Sequence, residues 1–386
     1  MRLMKEQIND IYASLCNKTE CTGCSACMNI CTKDAIDMKY DREGFLFPVI
    51  NKDKCIKCGQ CLSVCPIYEE KEDNQWNYSR IVSAYALNED VLEQGSSGGV
   101  FPTLAQSVIN DGGIVFGAVF DSKHKEIRHV SSEDVDILKI FRSKYVQSRI
   151  GMQFRQVKKQ LKQGRKVLFS GTPCQIQGLQ LYLKKDFENL ITVDFICHGV
   201  PSPLIFKHRL ERFEQKQKSE IIDCTFREKD NGWRKQNIKL YYKNGNVTKI
   251  PSKYGIFYNL FANNYILRKS CYNCKFCQIH KSDITLADFW DSNINKEGIS
   301  KIFINTSKGK EILEKNIEKF YTKDEYVDNL NKYIHHYSFA NREWFYKNYF
   351  KVKQKSIFFE YCRLRCLKNR LLNKPLMIVK IRLREK

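Results

Sequence analysis

The sequence predicts an α+β protein in which a small, cysteine-rich N-terminal domain precedes a larger α/β domain. Three observations carry this. The chain has 386 residues, which at roughly 100–200 residues per domain means two or three domains. Nine of its 17 cysteines fall within residues 1–69. Beyond residue 80, strand-like and helix-like segments alternate. With 42% hydrophobic and 12% aromatic residues, the chain has apolar material for a core, which excludes a wholly disordered protein.

The order of segments follows. Residues 1–69 form the cysteine-rich domain, and the polar stretch 70–79 reads as a linker. Residues 80–149 and 150–330 read as the two parts of the large domain, and 331–386 as a basic helical tail. Ile81 to Leu87 and Gly113 to Phe120 read as strands, with a helix between them after Ser97. Phe154, Val157 and Leu161 make one stripe of a helix over 150–163, with Gly164 as its stop. Lys166 to Ser170 and Leu190 to Ile196 are buried strands, and 203–217 is a helix. Asn237 to Tyr242 and Val247 to Ile250 flank an Asn-Gly hairpin turn. A strand over 298–306 and a helix over 307–320 close the series.

No apolar run approaches the roughly 18–20 residues of a membrane span, and the charged start, Met1 to Gln7, carries no secretory pattern. A cytoplasmic protein is expected. Its formal charge of +22 fits an acidic partner or anionic cofactors. The tail 351–386 carries 12 Lys/Arg and two acidic residues, with Phe358, Tyr361, Leu364, Leu367 and Leu371 at roughly helical spacing. Either it packs this stripe on the body, or it lies on an anionic membrane face.

Cys21, Cys24, Cys27 and Cys31 are spaced x2, x2, x3, and Cys55, Cys58, Cys61 and Cys65 repeat this before Pro66. That is the spacing of a two-cluster 4Fe–4S ferredoxin, in which the fourth cysteine of each run ligates the other cluster. One cluster is therefore assigned to Cys21, Cys24, Cys27 and Cys65, and the other to Cys55, Cys58, Cys61 and Cys31. A zinc pair would not need the interleaved eight. Thr32 stands where the pattern expects Pro.

A further set, Cys271, Cys274 and Cys277, has chelating spacing without a fourth neighbour. Cys174 follows Thr172-Pro173 in the first turn of an expected helix, and Cys197 follows a strand end. A third 4Fe–4S cluster on Cys174, Cys197, Cys271 and Cys274 is one reading. Cys277 in place of Cys174, or buried cysteines that bind nothing, are the others.

At this point the chain resembles the coenzyme F420 hydrogenase/dehydrogenase beta-subunit family, over nearly all of residues 18–305. The resemblance rests on the ferredoxin run, on 41–45 and 96–101, and on 143–148 (SKYVQS). It continues through Gly171 to Gln175, Cys197 to Ser202, Cys271 to Cys274, and 282–285 with 288–290. Ala287 replaces the usual Gly before Asp288. The resemblance implies FAD beside an iron–sulfur cluster, electrons passing to or from a hydride carrier such as F420, and a redox partner protein. Bacterial relatives of this layout are similar to proteins encoded with polysaccharide-assembly enzymes.

Read directly, Ser96, Ser97, Gly98 and Gly99 before a helix make an anion seat for a pyrophosphate. Lys144, Tyr145, Gln147 and Ser148 offer a cation, a ring and hydrogen-bonding groups for a flavin. No catalytic residue is assigned. The expected function is an iron–sulfur flavoprotein oxidoreductase. The alternative is a non-enzymatic electron-transfer adaptor whose large domain is a docking scaffold. A zinc-dependent nucleic-acid binder is disfavoured, because Arg does not cluster near the cysteines.

Overall fold

The computed structural model describes residues 15, 18–69, 76–230, 232–234, 237–251, 255–290, 295–327, 330 and 336–366. The small domain contains α1 (Ala26–Ile30), β1 (Ile36–Tyr40), β2 (Leu46–Ile50) and α2 (Gln60–Ser63). The two strands pair antiparallel, Ile36 opposite Ile50 and Tyr40 opposite Leu46. Ile36, Met38, Leu46 and Leu62 close over Cys27 and Cys61 in one apolar cluster. The hairpin turn is built by Asp41, whose Oδ1 accepts from the backbone N–H of Glu43 and of Phe45. Gly44 takes φ +84°, and a Cβ there would lie 2.3 Å from Leu204 Cβ. This close approach docks the turn on the large domain.

The large domain continues with β3 (Arg80–Ala86), α3 (Glu89–Gln94), α4 (Val100–Asn110), β4 (Ile114–Asp121), β5 (Glu126–Ser131) and β6 (Ser148–Arg149). Next come α5 (Gln153–Lys162), β7 (Val167–Ser170), α6 (Pro173–Leu183), β8 (Leu190–Phe195) and α7 (Pro203–Gln217). Then follow β9 (Ile221–Glu228), β10 (Asn237–Tyr242), β11 (Val247–Pro251), α8 (Ile256–Ala262), β12 (Ile284–Asp288) and β13 (Ser300–Ile304). The series ends with α9 (Ser307–Glu314), β14 (Phe320–Asp324) and α10 (Ala340–Tyr349). Residues 355–366 are also helical.

Nine strands make one mixed sheet in the order β14-β3-β13-β12-β8-β7-β4-β5-β6. Its centre, β12-β8-β7-β4, is parallel. Both sequence segments of the large domain, 80–149 and 150–330, contribute strands to it. The apolar runs VLFS and LITVDF are buried on both faces, as central parallel strands require. A separate three-stranded sheet has the order β11-β10-β9.

Three expectations change. Trp76 to Ser79 are not linker: Trp76 is buried, its Nε1 donates to Asn305 Oδ1 at 3.0 Å, and its ring lies 4.4 Å from that of Phe303. Residues 70–75 lie outside the described residues. The helix expected over 307–320 stops at Glu314. Buried Asn316 turns its Nδ2 onto the Ile312 carbonyl, and Phe320 opens β14 against Ala86. The tail is not a separate appendage through residue 366. Arg342 forms a buried ion pair with Glu43, and Phe358, Phe359, Cys362 and Cys366 pack into the large core. Of the stripe expected there, Phe358 is buried but Tyr361 and Leu364 are exposed. Residues 367–386 lie outside the described residues.

Candidate iron–sulfur and cofactor site

The two cysteine loops share one backbone design. Gly23 and Ser25 adopt positive φ in the first, at +72° and +66°. The residues thirty-four positions later, Lys57 and Gly59, do the same at +54° and +74°. Each loop thus makes two left-handed turns that fold its thiols toward one centre, with glycine at only one of the two positions. Cys24 lies next to Cys65 and Cys21, and Cys27 next to Cys24, Cys21 and Cys65. Cys61 lies next to Cys58 and Cys55. Cys65 therefore lies among the thiols of the first run, and Cys61 also neighbours Cys27.

Burial pushes the thiols of Cys24 and Cys27 well up, and those of Cys61 and Cys65 to about 11. The main compensation is from backbone N–H groups, of Ala26 toward Cys24, of Leu62 toward Cys61, and of Ile67 and Tyr68 toward Cys65. The Ala35 N–H donates to Cys31 Sγ at 3.3 Å. Many sulfur donors and amide N–H groups aimed at sulfur fit iron–sulfur clusters, where the metal supplies the positive charge.

The third set converges from three places. Cys174 occupies the first turn of α6, after Pro173 at N1 and the Thr172 N–H held by Gln175 Oε1 at 3.0 Å. Cys197 follows β8, and Cys271 and Cys274 follow α8. Burial pushes the thiols of Cys174, Cys197 and Cys271 up, with neighbouring thiols adding to this at Cys197 and Cys271, whereas at Cys274 a hydrogen bond with the Cys277 thiol comes first and burial second. Cys197 lies beside Cys271 and Cys174, and Cys274 beside Cys271 and Cys174. Cys277 is buried, with its Sγ–H on the Cys274 carbonyl at 3.1 Å. Cys174 also neighbours Cys24 of the first run. The small domain's α1 packs on α6, which brings the two thiol groups together.

Arg268, which sequence reasoning missed, ties this region together. Fully buried, it donates to the carbonyls of Cys21 and Leu46 at 2.7 and 2.8 Å, and to Gln147 Oε1 at 3.0 Å. Its charge also faces Cys174 and Cys271. Gln147 Nε2 in turn donates to the Thr22 carbonyl. Gln147 thus brackets the ferredoxin loop rather than the cavity described next.

A cavity of about 400 Å³ opens at the C-terminal ends of β7, β8 and β12, where parallel sheets place their ligands. Ser170, Thr172, Cys197, His198 and Asp288 belong to its wall, with Tyr145, Tyr258, Phe261 and Trp290 as its aromatic lining. Of the eight cofactor residues read from sequence, Ser96, Ser97, Gly99, Lys144, Tyr145 and Ser148 line it. Gly98 and Gln147 do not. The N–H of Gly98 is taken by Ser300 Oγ, and a Cβ there would lie 2.2 Å from the Ala84 carbonyl oxygen, so its role is close packing.

Lys144 behaves differently from a free cation. Its Nζ donates to the carbonyls of Lys139, Ile140 and Phe141, and burial pushes it down to about 7. The firm cation of the wall is Arg227, another residue the sequence did not mark. It sits at φ +61°, pairs with Asp288 at 2.7 Å and donates to the Tyr145 hydroxyl at 3.3 Å. Burial works against its charge, and Asp288 and Tyr145 outweigh that, holding it above its ordinary value. His129 also lines the cavity. Its Nε2 lies 2.9 Å from the Ser170 carbonyl, which only accepts, so Nε2 carries the proton. Its Nδ1 is then a buried acceptor with no partner among the described residues. Burial pushes this imidazole down to about 4. His198 Nδ1 pairs with the Tyr337 hydroxyl at 2.9 Å. His280, which sequence reasoning left unassigned, pairs with buried Asp194 at 2.8 Å.

Fold and site define an iron–sulfur protein of oxidoreductase type, in which a dicluster ferredoxin module packs on a mixed-sheet domain. Residues 164–329 match the family described as the C terminus of the beta subunit of coenzyme F420 hydrogenase/dehydrogenase. Residues 20–68 and, overlapping them, 47–94 match 4Fe-4S dicluster domains. Among solved structures, the chain is similar to one in a xenon derivative of the F420-reducing [NiFe] hydrogenase complex from Methanosarcina barkeri. The identity is 22% over 75% of this chain and 96% of that one, with a TM-score of 0.46. No curated protein matches. Among the described residues no helix is long and apolar enough to cross a membrane.

Proposed function

We propose that the chain is an iron–sulfur flavoprotein that exchanges electrons between 4Fe–4S clusters and a hydride carrier or small organic substrate bound with FAD in the large cavity. One observation carries this. The thiols run in a series from the first ferredoxin group, through Cys174, to Cys197 in the cavity wall. Clusters alone pass single electrons. A flavin supplies the conversion between single electrons and a hydride.

The residues present suit such a cofactor. Tyr145, Tyr258, Phe261 and Trp290 offer faces for a fused ring system, His129 Nδ1 offers an acceptor for a ring N–H, and Arg227 offers cationic charge. Cys174, Cys197, Cys271 and Cys274 would hold a third 4Fe–4S cluster, with Cys174 chosen over Cys277 because it neighbours both Cys197 and Cys271. F420 as the carrier, a redox partner protein and a role in polysaccharide biosynthesis rest on the family resemblance. The test is anaerobic purification with iron, acid-labile sulfide and flavin quantified together. About 12 irons and one FAD per chain are expected. Full iron with no flavin, even after reconstitution with FAD, would leave the electron-transfer adaptor.

A further inference from the structure

The two ferredoxin groups are not equivalent in position. The first, around Cys24, faces the large domain: a Cβ on Gly178 of α6 would lie 2.9 Å from Cys24 Sγ. The second faces outward, with Cys58 exposed and Cys55 and Cys31 half-buried. Two turns frame it, residues 31–35 and 51–55, joined where the Asn51 N–H donates to the Ala35 carbonyl at 2.8 Å. They bring Lys33, Lys52 and Lys54 to one end of the β1–β2 hairpin, and Lys57 follows in the second cysteine loop, all exposed. Ile56 stands among them, 62% exposed. The acidic side chains there are few. Asp53 is exposed, and Asp34 is engaged by Arg155 at 2.8 Å.

We infer that this basic rim with an apolar centre is the docking face for an acidic one-electron carrier protein of the ferredoxin type, which exchanges electrons with the cluster on Cys31, Cys55, Cys58 and Cys61. The inference rests on the two-cluster assignment of that module. Charge complementarity chooses the partner: four lysines around an exposed thiolate-bound cluster attract a negatively charged surface. Ile56 gives the contact a desolvated point at its centre. The step moves one electron, from carrier to cluster: the reduced carrier loses it, the oxidised 4Fe–4S cluster gains it, and no proton or group moves.

The test uses anaerobic, oxidised holoprotein mixed with a reduced acidic plant-type 2Fe–2S ferredoxin, and separately with a reduced sulfonated viologen, too small to need a docking face. The ferredoxin rate should fall as salt rises. Lys33→Glu/Lys54→Glu should lower it at low salt by about tenfold or more, leaving the viologen rate unchanged. Lys243→Glu, on the exposed turn between β10 and β11, should leave both rates unchanged. A ferredoxin rate insensitive to salt, or to the double variant, overturns the inference, as does an equal fall in Lys243→Glu. If the viologen rate falls too, the variant has lost its cluster. Lys33→Gln/Lys54→Gln at full iron content then decides by the same comparison. Salt-sensitive binding to anionic vesicles that the double variant loses, with the ferredoxin rate intact, would assign the face to lipid and overturn the inference. Low iron in the wild type would instead fail the cluster assignment itself.

Discussion

Cys24 of the ferredoxin module and Gly178 of α6 touch: a Cβ built on Gly178 would lie 2.9 Å from the Cys24 sulfur and 3.1 Å from its Cβ. A helix-interior glycine normally costs about 1 kcal/mol against alanine. Here its absence of a side chain lets the module's α1 come down on α6. Gly178→Ala should therefore gain helix propensity and lose more through overpacking, about 1–3 kcal/mol. Gly178→Val should move the Cys24 loop. The check is thermal unfolding together with the spectrum of the reduced clusters. A Gly178→Val protein with unaltered stability and cluster signals would refute the contact.

The assignment of Cys174 over Cys277 follows from their neighbours. Cys197 and Cys271 each face Cys174, whereas Cys277 meets Cys274, through both its carbonyl and its thiol. Replacing Cys174, Cys197 or Cys274 with Ala should remove about four irons per chain and leave the ferredoxin signals in place. Cys277→Ala should keep all its iron. Iron loss in Cys277→Ala but not in Cys174→Ala would exchange their roles.

His129 makes stability depend on pH in a defined window. Its folded value, about 4, lies below the ordinary 6.5 because the ring is buried. Between these values the unfolded chain binds a proton that the folded protein refuses. Its contribution is therefore complete above about 6.5 and is lost as pH falls toward 4, on the order of 3 kcal/mol. His129→Gln, which keeps an N–H for the Ser170 carbonyl without a titrating ring, should show a shallower fall. Urea unfolding at pH 7 and pH 5 checks this through the difference between the two proteins. Equal falls would mean that the imidazole is not held neutral.

What was legible in the sequence was what short spacing determines. The eight ferredoxin cysteines are covalently close, so their order alone implies interleaved clusters. Ser202-Pro203 marks the start of α7, and Asn244-Gly245 marks the β10–β11 turn, because caps and turns are local chemistry. What was not legible depends on distant partners. Arg268 meets Cys21 across 247 positions, and His129 meets Ser170 across 41. Nothing near Arg268 or Arg227 in the chain distinguishes them from surface arginines. Trp76 was hidden by its polar neighbours. In the C-terminal segment, a spacing of three selected Tyr361 and Leu364, whereas the buried line takes Phe358, Phe359, Cys362 and Cys366. Two of those are cysteines, which the helical stripe read from the sequence left out.

That buried line changes the experiment on the tail. Residues 355–366 place Phe358, Phe359, Cys362 and Cys366 in the same core cluster as Phe345 and Tyr349. Burying each phenylalanine contributes about 1.5–3 kcal/mol. Deleting 351–386 should therefore destabilise the fold by several kcal/mol and lower iron content, which says nothing about lipid. Deleting only 367–386 removes seven Lys/Arg and one acidic residue while sparing the packed helix. If this segment meets an anionic membrane, each basic residue near the surface adds about 1 kcal/mol. The shorter deletion should then abolish sedimentation with anionic vesicles and leave the unfolding temperature and iron unchanged. In the wild type, vesicle binding should weaken steeply as salt rises, because screening shortens the reach of each charge. Binding that survives the shorter deletion, or that is equal on neutral vesicles, would remove the membrane from the tail's function.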